Sequence, residues 1–295
     1  PMHIANIQQL AQSHGLSLTS KMTFNEMGID FRVGFAQDDQ ARDWVLHIPR
    51  RPGLREQIET EKQILELAKR HLSIEVPDWR IAAENFIAYP LLSNAPALTF
   101  DSQTHQVSWY MDQQAIDYPV SLAAALVQIH NVPEEEVRSR NIKVHSPDES
   151  RTEIADRIDR VKTELGIGQI LEKRYRKWLD NDRLWPDFTS FVHGDLYAGH
   201  ILVEPEGKVT GVIDWTTAHV SDIALDFSGH FNIFGLESTK TLIREYEKRG
   251  GKVWAELLPQ IIERAAAAPL AYGFFAIETG IDLHINAAKE QLGVR

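Results

Sequence analysis

The chain has 295 residues, 43% hydrophobic and 25% charged, with no cysteine and a formal charge of −11 from 42 acids against 31 bases. That composition excludes a disordered, collagenous or coiled-coil chain, and the missing cysteines exclude disulfides, thiolate metal sites and cysteine nucleophiles. No uncharged apolar run approaches the roughly 20 residues of a membrane helix, and the acid excess disfavours nucleic acid and anionic lipid while favouring a cationic small molecule.

The pattern is strand-rich from Leu18 to Tyr89. Strands are expected over Leu18 to Phe24, Phe31 to Ala36 and Trp44 to Ile48, with a polar turn at Asp38, Asp39 and Gln40. A helix is expected from about Leu54, then a short strand over Asn85 to Pro90. In the helix, Ile58, Glu61, Leu65, Ala68 and Leu72 recur at steps of three and four, so Glu61 lies on the apolar stripe and needs a partner. In the strand, alternation sets Trp44, Leu46 and Ile48 on one face and Val45 and His47 on the other.

Ser93 to Pro96 reads as a joint, and from Tyr118 onward the pattern is mostly helical. Ser121 to His130, Asp148 to Leu165, Gln169 to Asp180, Leu236 to Lys248 and Trp254 to Ala268 carry helical spacing. One interruption, Phe191 to Trp215, holds the densest polar chemistry. His193, Gly194 and Asp195 precede His200 and an apolar strand, Ile201 to Val203. Glu204 to Gly207 reads as a hairpin turn leading to a second strand that ends at Asp214. The hairpin is expected to gather Asp195, His200 and Asp214 at one edge of a ribbon.

Two carboxylates and an imidazole admit three readings. They suit a hydrolase metal site, a buried polar network that staples the loop, or a phosphotransfer site with Asp195 as base and His200 and Asp214 on magnesium.

His193-Gly194-Asp195-Leu196 with Ile213-Asp214-Trp215 resembles the aminoglycoside phosphotransferase superfamily, antibiotic and choline-type kinases with the protein-kinase fold. The pair Gly199-His200, with His where most of that superfamily has Asn, is similar to the macrolide 2'-phosphotransferases. So are Asn25 to Asp30, Trp44 to Arg51, Val76 to Trp79, Ile87 to Pro90, Trp185 to Asp187 and Gly250 to Trp254, which together run through nearly the whole chain.

The resemblance implies an α+β, bilobal protein-kinase-like fold. A small antiparallel β-rich lobe with one helix, residues 1–93, would bind nucleotide and end in a hinge; residues 94–295 would form a larger helical lobe with the catalytic loop and a macrolide pocket. It implies transfer of the γ-phosphate of GTP, with ATP as a second donor, to the 2'-hydroxyl of a macrolide's desosamine, inactivating the antibiotic. Asp195 would be the catalytic base and His200 and Asp214 the Mg²⁺ ligands. His47, Glu61, Asn25, Gly28, Tyr89 and Leu91 would meet the nucleotide, and His193 and Asp226 would support the loop. Phe231, Phe234, Tyr272, Phe274, Phe275 and Glu278 are available for the macrolide.

His47 departs from the resemblance, which has Arg or Lys there. Facing an ionised Glu61 would favour its imidazolium form, and phosphate contact would otherwise pass to Arg50 or Arg51. Two other readings stay open: another small-molecule kinase of the same fold, acting on an aminoglycoside, choline or a sugar, and a catalytically silent binding protein. No apolar stretch of signal-peptide length occurs in the first thirty residues, so a cytoplasmic location is expected; the expected partners are nucleotide and macrolide, with neither nucleic acid nor membrane, and the expected state is a monomer.

Overall fold

The computed structural model describes residues 2–101 and 103–294, which form two compact units. The first unit takes Pro1–Ala115, Arg140–Ile142 and Gly199–Thr216; the second takes Ile116–Ser139, Lys143–Ala198 and Thr217–Arg295.

The first unit opens with helix α1 (Ile4–Ser13), followed by strands β1 (Leu18–Asn25), β2 (Phe31–Asp38) and β3 (Asp43–Pro49). Helix α2 (Arg55–His71) and strands β4 (Ile81–Ala83) and β5 (Phe86–Pro90) complete an antiparallel sheet in the order β1-β2-β3-β5-β4. Both faces of β3 are covered, and its alternation shows how. Trp44, Leu46 and Ile48 are buried with Ile7 and Ala11 of α1. Val45, from the opposite face, is buried with Leu54, Ile58, Ile87 and Tyr89. Helix α1 is an addition to the single helix expected here.

Beyond β5 come β6 (Ala95–Pro96) and a small ribbon of β7 (Leu98–Phe100) and β8 (Val107–Trp109). The hairpin strands Ile201–Val203 and Val209–Val212 belong to this unit. Their ladder explains why: Leu202 pairs with Pro96 and Val203 with Ala95, while Gly211 bridges Glu75. The polar interruption seen in the sequence therefore divides, with residues up to Ala198 in the helical unit and Gly199 to Thr216 in the β-rich one.

The second unit contains helices α3 (Asp117–His130), α4 (Glu134–Ser139), α5 (Pro147–Glu164) and α6 (Gln169–Asp180) and strand β9 (Ser190–Val192). With the hairpin strands numbered β10 and β11, β12 (His219–Ser221) pairs antiparallel with β9. Helices α7 (Leu225–Lys248), α8 (Leu257–Ala266), α9 (Ala268–Thr279) and α10 (Asp282–Gln291) follow. A capping box fixes the start of α5, with the Ser146 hydroxyl accepting from Glu149 N–H and the Glu149 carboxylate accepting from Ser146 N–H. Ile154, Ile158 and Val161 of α5 are buried with Tyr175, Trp178, Leu270 and Ala276. Gly235, at φ +83°, interrupts α7, which explains why helical spacing in the sequence begins only at Leu236. No described helix is long and apolar enough to cross a membrane.

Candidate active site

In the first unit the hairpin brings its two polar ends together. Ile213 N–H donates to the His200 carbonyl at 2.9 Å, and beyond it His200 Nε2 lies 2.9 Å from Asp214 Oδ2. Asp214 takes the left-handed conformation, φ +59°, which an Asp tolerates better than most residues. This turn leaves its carboxylate exposed at the strand end. The pair fits a divalent cation: two ligands on neighbouring octahedral positions, bonded at about 2.0–2.1 Å, lie about 3 Å apart.

The charge on Asp214 is felt through the rest of this cluster. Burial, then Asp214, raise the Glu61 carboxyl to about 7, against a hydrogen bond from the Thr216 hydroxyl at 3.3 Å. Burial lowers the His47 imidazole to about 4, only partly opposed by Asp214. Burial, Asp214 and Glu61 all push the Tyr89 phenol up. Glu61 and Asp214 thus share a cluster in which burial keeps the His47 imidazole neutral, an arrangement that a bound cation would relieve.

The expected pairing of His47 with Glu61 is not made. His47 packs edge-on to Tyr89, whose hydroxyl lies 3.4 Å from Nε2, and Glu61 is met by Thr216 instead. The imidazolium form expected from the sequence is corrected accordingly: β3 is covered on both faces, and burial there outweighs the attraction of one carboxylate.

Arg50 and Arg51, the alternative phosphate contacts, are held at 2.8 Å by Glu26 and Asp30 of the β1–β2 loop. At the end of β1 Asn25 Oδ1 accepts from Met27 N–H at 2.9 Å, and in the loop Gly28 passes so close to the Phe31 carbonyl that no Cβ fits. Tyr89 sits in the ladder opposite Val45, and the Leu91 N–H is donated to the Asp43 carbonyl at 3.0 Å.

Asp195 lies in the second unit, its side chain exposed on a loop whose backbone is pinned from below. Asp226, fully buried at the start of α7, accepts from His193 N–H and Gly194 N–H, each at 3.0 Å. His130 Nε2 reaches the same carboxylate at 2.8 Å, and its Nδ1 meets the Tyr246 hydroxyl at 2.8 Å. Burial pushes the Asp226 carboxyl up, yet these bonds outweigh it and the group stays below its ordinary value. Gly194 has φ +91°, and a Cβ there would stand 2.7 Å from the Thr217 carbonyl oxygen, so the turn that presents Asp195 requires glycine. His193 Nδ1 in turn accepts from Asp195 N–H at 3.2 Å.

Asp222 is buried just before α7. It accepts from Ala224 N–H, Gln260 Nε2 and Arg264 Nε at 2.9–3.0 Å. Of the aromatic residues, Phe234 stacks on His230 at 4.6 Å and leans on Tyr118 at 5.0 Å. Tyr272 stacks on Phe275 at 6.1 Å and bonds His284. Phe231 is half-buried, Phe274 lies under Arg157 and Arg160, and Glu278 is ion-paired with Arg160. Thr216, Tyr246 and Arg264 had no signal in the sequence, because each is set by a partner distant in the chain.

The profile of the phosphotransferase enzyme family matches residues 21–259. The chain is 40% identical over 294 residues to the uncharacterized protein YcbJ of Bacillus subtilis (strain 168), covering 99% of this chain and 96% of that one. Among solved structures it is similar to macrolide 2'-phosphotransferase type I, with a TM-score of 0.94, 38% identity and coverage of 98% and 96%. The apoenzyme of macrolide 2'-phosphotransferase MphH from Brachybacterium faecium gives a TM-score of 0.90 at 38% identity, covering 99% and 98%. At 16% identity, the GDP and kanamycin complex of APH(2")-IIia shares the kinase-like fold, with a TM-score of 0.77 over 98% and 97% of the chains. By profile, identity and coverage together, the chain belongs to the phosphotransferase enzyme family, in the branch of the macrolide 2'-phosphotransferases.

Proposed function

We propose that the protein is an antibiotic kinase that transfers the γ-phosphate of GTP, with ATP as a second donor, to the 2'-hydroxyl of a macrolide's desosamine. The observation that carries this reading is the loop of Asp195: an exposed carboxylate on a backbone anchored through Asp226 to His130 and Tyr246. Phosphoryl transfer asks the protein chiefly to align and to offset charge, and a rigidly presented carboxylate suits that task. Asp195 orients the sugar hydroxyl and takes its proton as the new O–P bond forms and the bond to the nucleoside diphosphate breaks. His200 and Asp214 would hold Mg²⁺, which supplies positive charge to the phosphates. Likeness at 38% identity to two macrolide 2'-phosphotransferases supports the substrate class.

In this reading residues 1–93 carry the nucleotide, through Asn25, Gly28, His47, Glu61, Tyr89 and Leu91, and residues 94–295 carry the macrolide. Phe231, Phe234, Tyr272 and Phe275 offer carbon surface to the ring; Glu278 meets the dimethylammonium only by leaving Arg160. The enzyme acts as a cytoplasmic monomer. The test is GTP consumption with Mg²⁺ and a macrolide panel, beside kanamycin and choline, with the product's mass recorded. A phosphate-sized gain on the macrolide, lost by at least about a hundredfold in Asp195→Ala, is expected. Turnover on kanamycin or choline alone would reassign the acceptor, and turnover retained by Asp195→Ala would remove the base.

A further inference from the structure

His145, Glu153 and His219, none of them given a role above, meet in the second unit. Two backbone bonds, Val220 N–H to the Lys143 carbonyl at 3.0 Å and His145 N–H to the Val220 carbonyl at 2.9 Å, lay the chain before α5 along β12. That register sets the two imidazoles side by side, centroids 5.5 Å apart and planes at 85°. Glu153 comes from the second turn of α5, behind the capping box. One ligand atom from each residue lies within 4.8 Å of the other two.

The hydrogen bonding of His219 directs it toward a ligand. The residue is only 9% exposed, and its Nδ1 lies 2.6 Å from the Thr217 carbonyl oxygen, which can only accept. Nδ1 therefore carries the ring proton. Nε2 is buried with no hydrogen-bond partner among the described residues. A proton there would be a buried donor without an acceptor, so Nε2 presents a lone pair. A carbonyl holding one ring nitrogen and leaving the other's lone pair free for a metal is how metal-binding imidazoles are oriented.

His145 Nδ1 is likewise buried without a hydrogen-bond partner, 3.6 Å from Glu153 Oε2. That is beyond a hydrogen bond and near the edge of a tetrahedral zinc site, about 3.4 Å for bonds of about 2.0–2.1 Å.

We propose that His145, Glu153 and His219 form a binding site for a zinc-class divalent transition metal. Two imidazoles and one carboxylate favour zinc over magnesium or calcium, which prefer oxygen ligands. His145 and Glu153 also line a groove of about 630 Å³, through which the metal and a fourth ligand enter. Glu153 is now flanked by Lys143 on Oε2 and Arg157 on Oε1, each at 3.5 Å. Loading displaces Lys143, whose side chain is 58% exposed, while Arg157 keeps the other oxygen and orients the carboxylate.

The test uses the full chain, stripped by chelation and titrated with Zn²⁺ alone and Co²⁺ alone, without nucleotide. The background is His200→Ala, which disrupts the imidazole–carboxylate pair read as the Mg²⁺ site. One equivalent of metal is expected, with the intense visible bands of four-coordinate Co²⁺. Affinity should fall at least tenfold in both Glu153→Gln and His145→Ala. These two positions are half-buried, so their folding, checked by circular dichroism, is safer than that of a variant at buried His219. No uptake in the His200→Ala background, or binding as tight in folded Glu153→Gln and His145→Ala, would overturn the proposal.

Discussion

With its carboxyl raised to about 7, Glu61 keeps in the folded chain a proton that it gives up near 4.5 when unfolded. Its contribution to stability is therefore fully present below pH 4.5 and is lost as pH rises through about 7. His47 runs the other way: lowered from 6.5 to about 4, it contributes above pH 6.5 and loses that contribution as pH falls through about 4. Between pH 4.5 and 6.5 the folded pair holds one proton, on Glu61, and the unfolded pair also holds one, on His47. The two slopes cancel. Removing one partner should expose the other, with a slope of up to about 1.4 kcal/mol per pH unit. Thermal melts across that window should show stability falling with pH in His47→Gln and rising with pH in Glu61→Gln. Parallel slopes in the two variants would show that the residues do not titrate in this way. The identities of both residues were legible in the sequence, and so was the face of β3 that carries His47. Its protonation state was not, because it depends on how much of the second face of the sheet is covered.

Among the elements, those built on strict alternation or a long amphipathic stripe were visible beforehand. The period-two pattern gave β1, β2 and β3 to within two residues at each end, and the stripe of α2 located Glu61. Helix α1 escaped notice: Ile7 and Ala11 are its buried residues, it is rich in glutamine, and no side chain caps it. The hairpin and the loop of Asp195 were also legible, since turn residues and polar density mark them locally. What fixes them was not. Asp222 finds Arg264 at 2.9 Å across 42 residues of chain, tying the segment before α7 to α8. Both groups are buried, so truncating Arg264→Ala should leave an uncompensated carboxylate and cost about 3–5 kcal/mol. Urea unfolding would measure this, and the double variant Asp222→Asn, Arg264→Met should regain part of the loss. A loss under 1 kcal/mol in the single variant would mean that Gln260 and the Ala224 N–H suffice for Asp222.

At the scale of the whole molecule the charge of −11 acts on both proposed substrates with opposite sign. It attracts a cationic macrolide and repels a nucleotide. Raising salt from about 0.01 M to 0.15 M shortens the screening length from about 30 Å to about 8 Å. Over that range kcat/KM for the macrolide should fall severalfold while that for the nucleotide rises. Steady-state rates at fixed Mg²⁺ test this, and identical salt responses would assign the field no role.

The division of the chain at Ala198 and Gly199 also bears on how the protein is made. Neither compact unit is a continuous stretch of sequence. On the ribosome, Ala95 and Pro96 emerge long before Leu202 and Val203, the residues that complete their ladder. Until then the nascent first unit carries an open strand edge, the kind of surface that invites pairing with other chains. A message or translation fault that stops the chain before Thr216 thus yields an incomplete β-rich unit, which can close only after helices α3 to α6 of the other unit have been made.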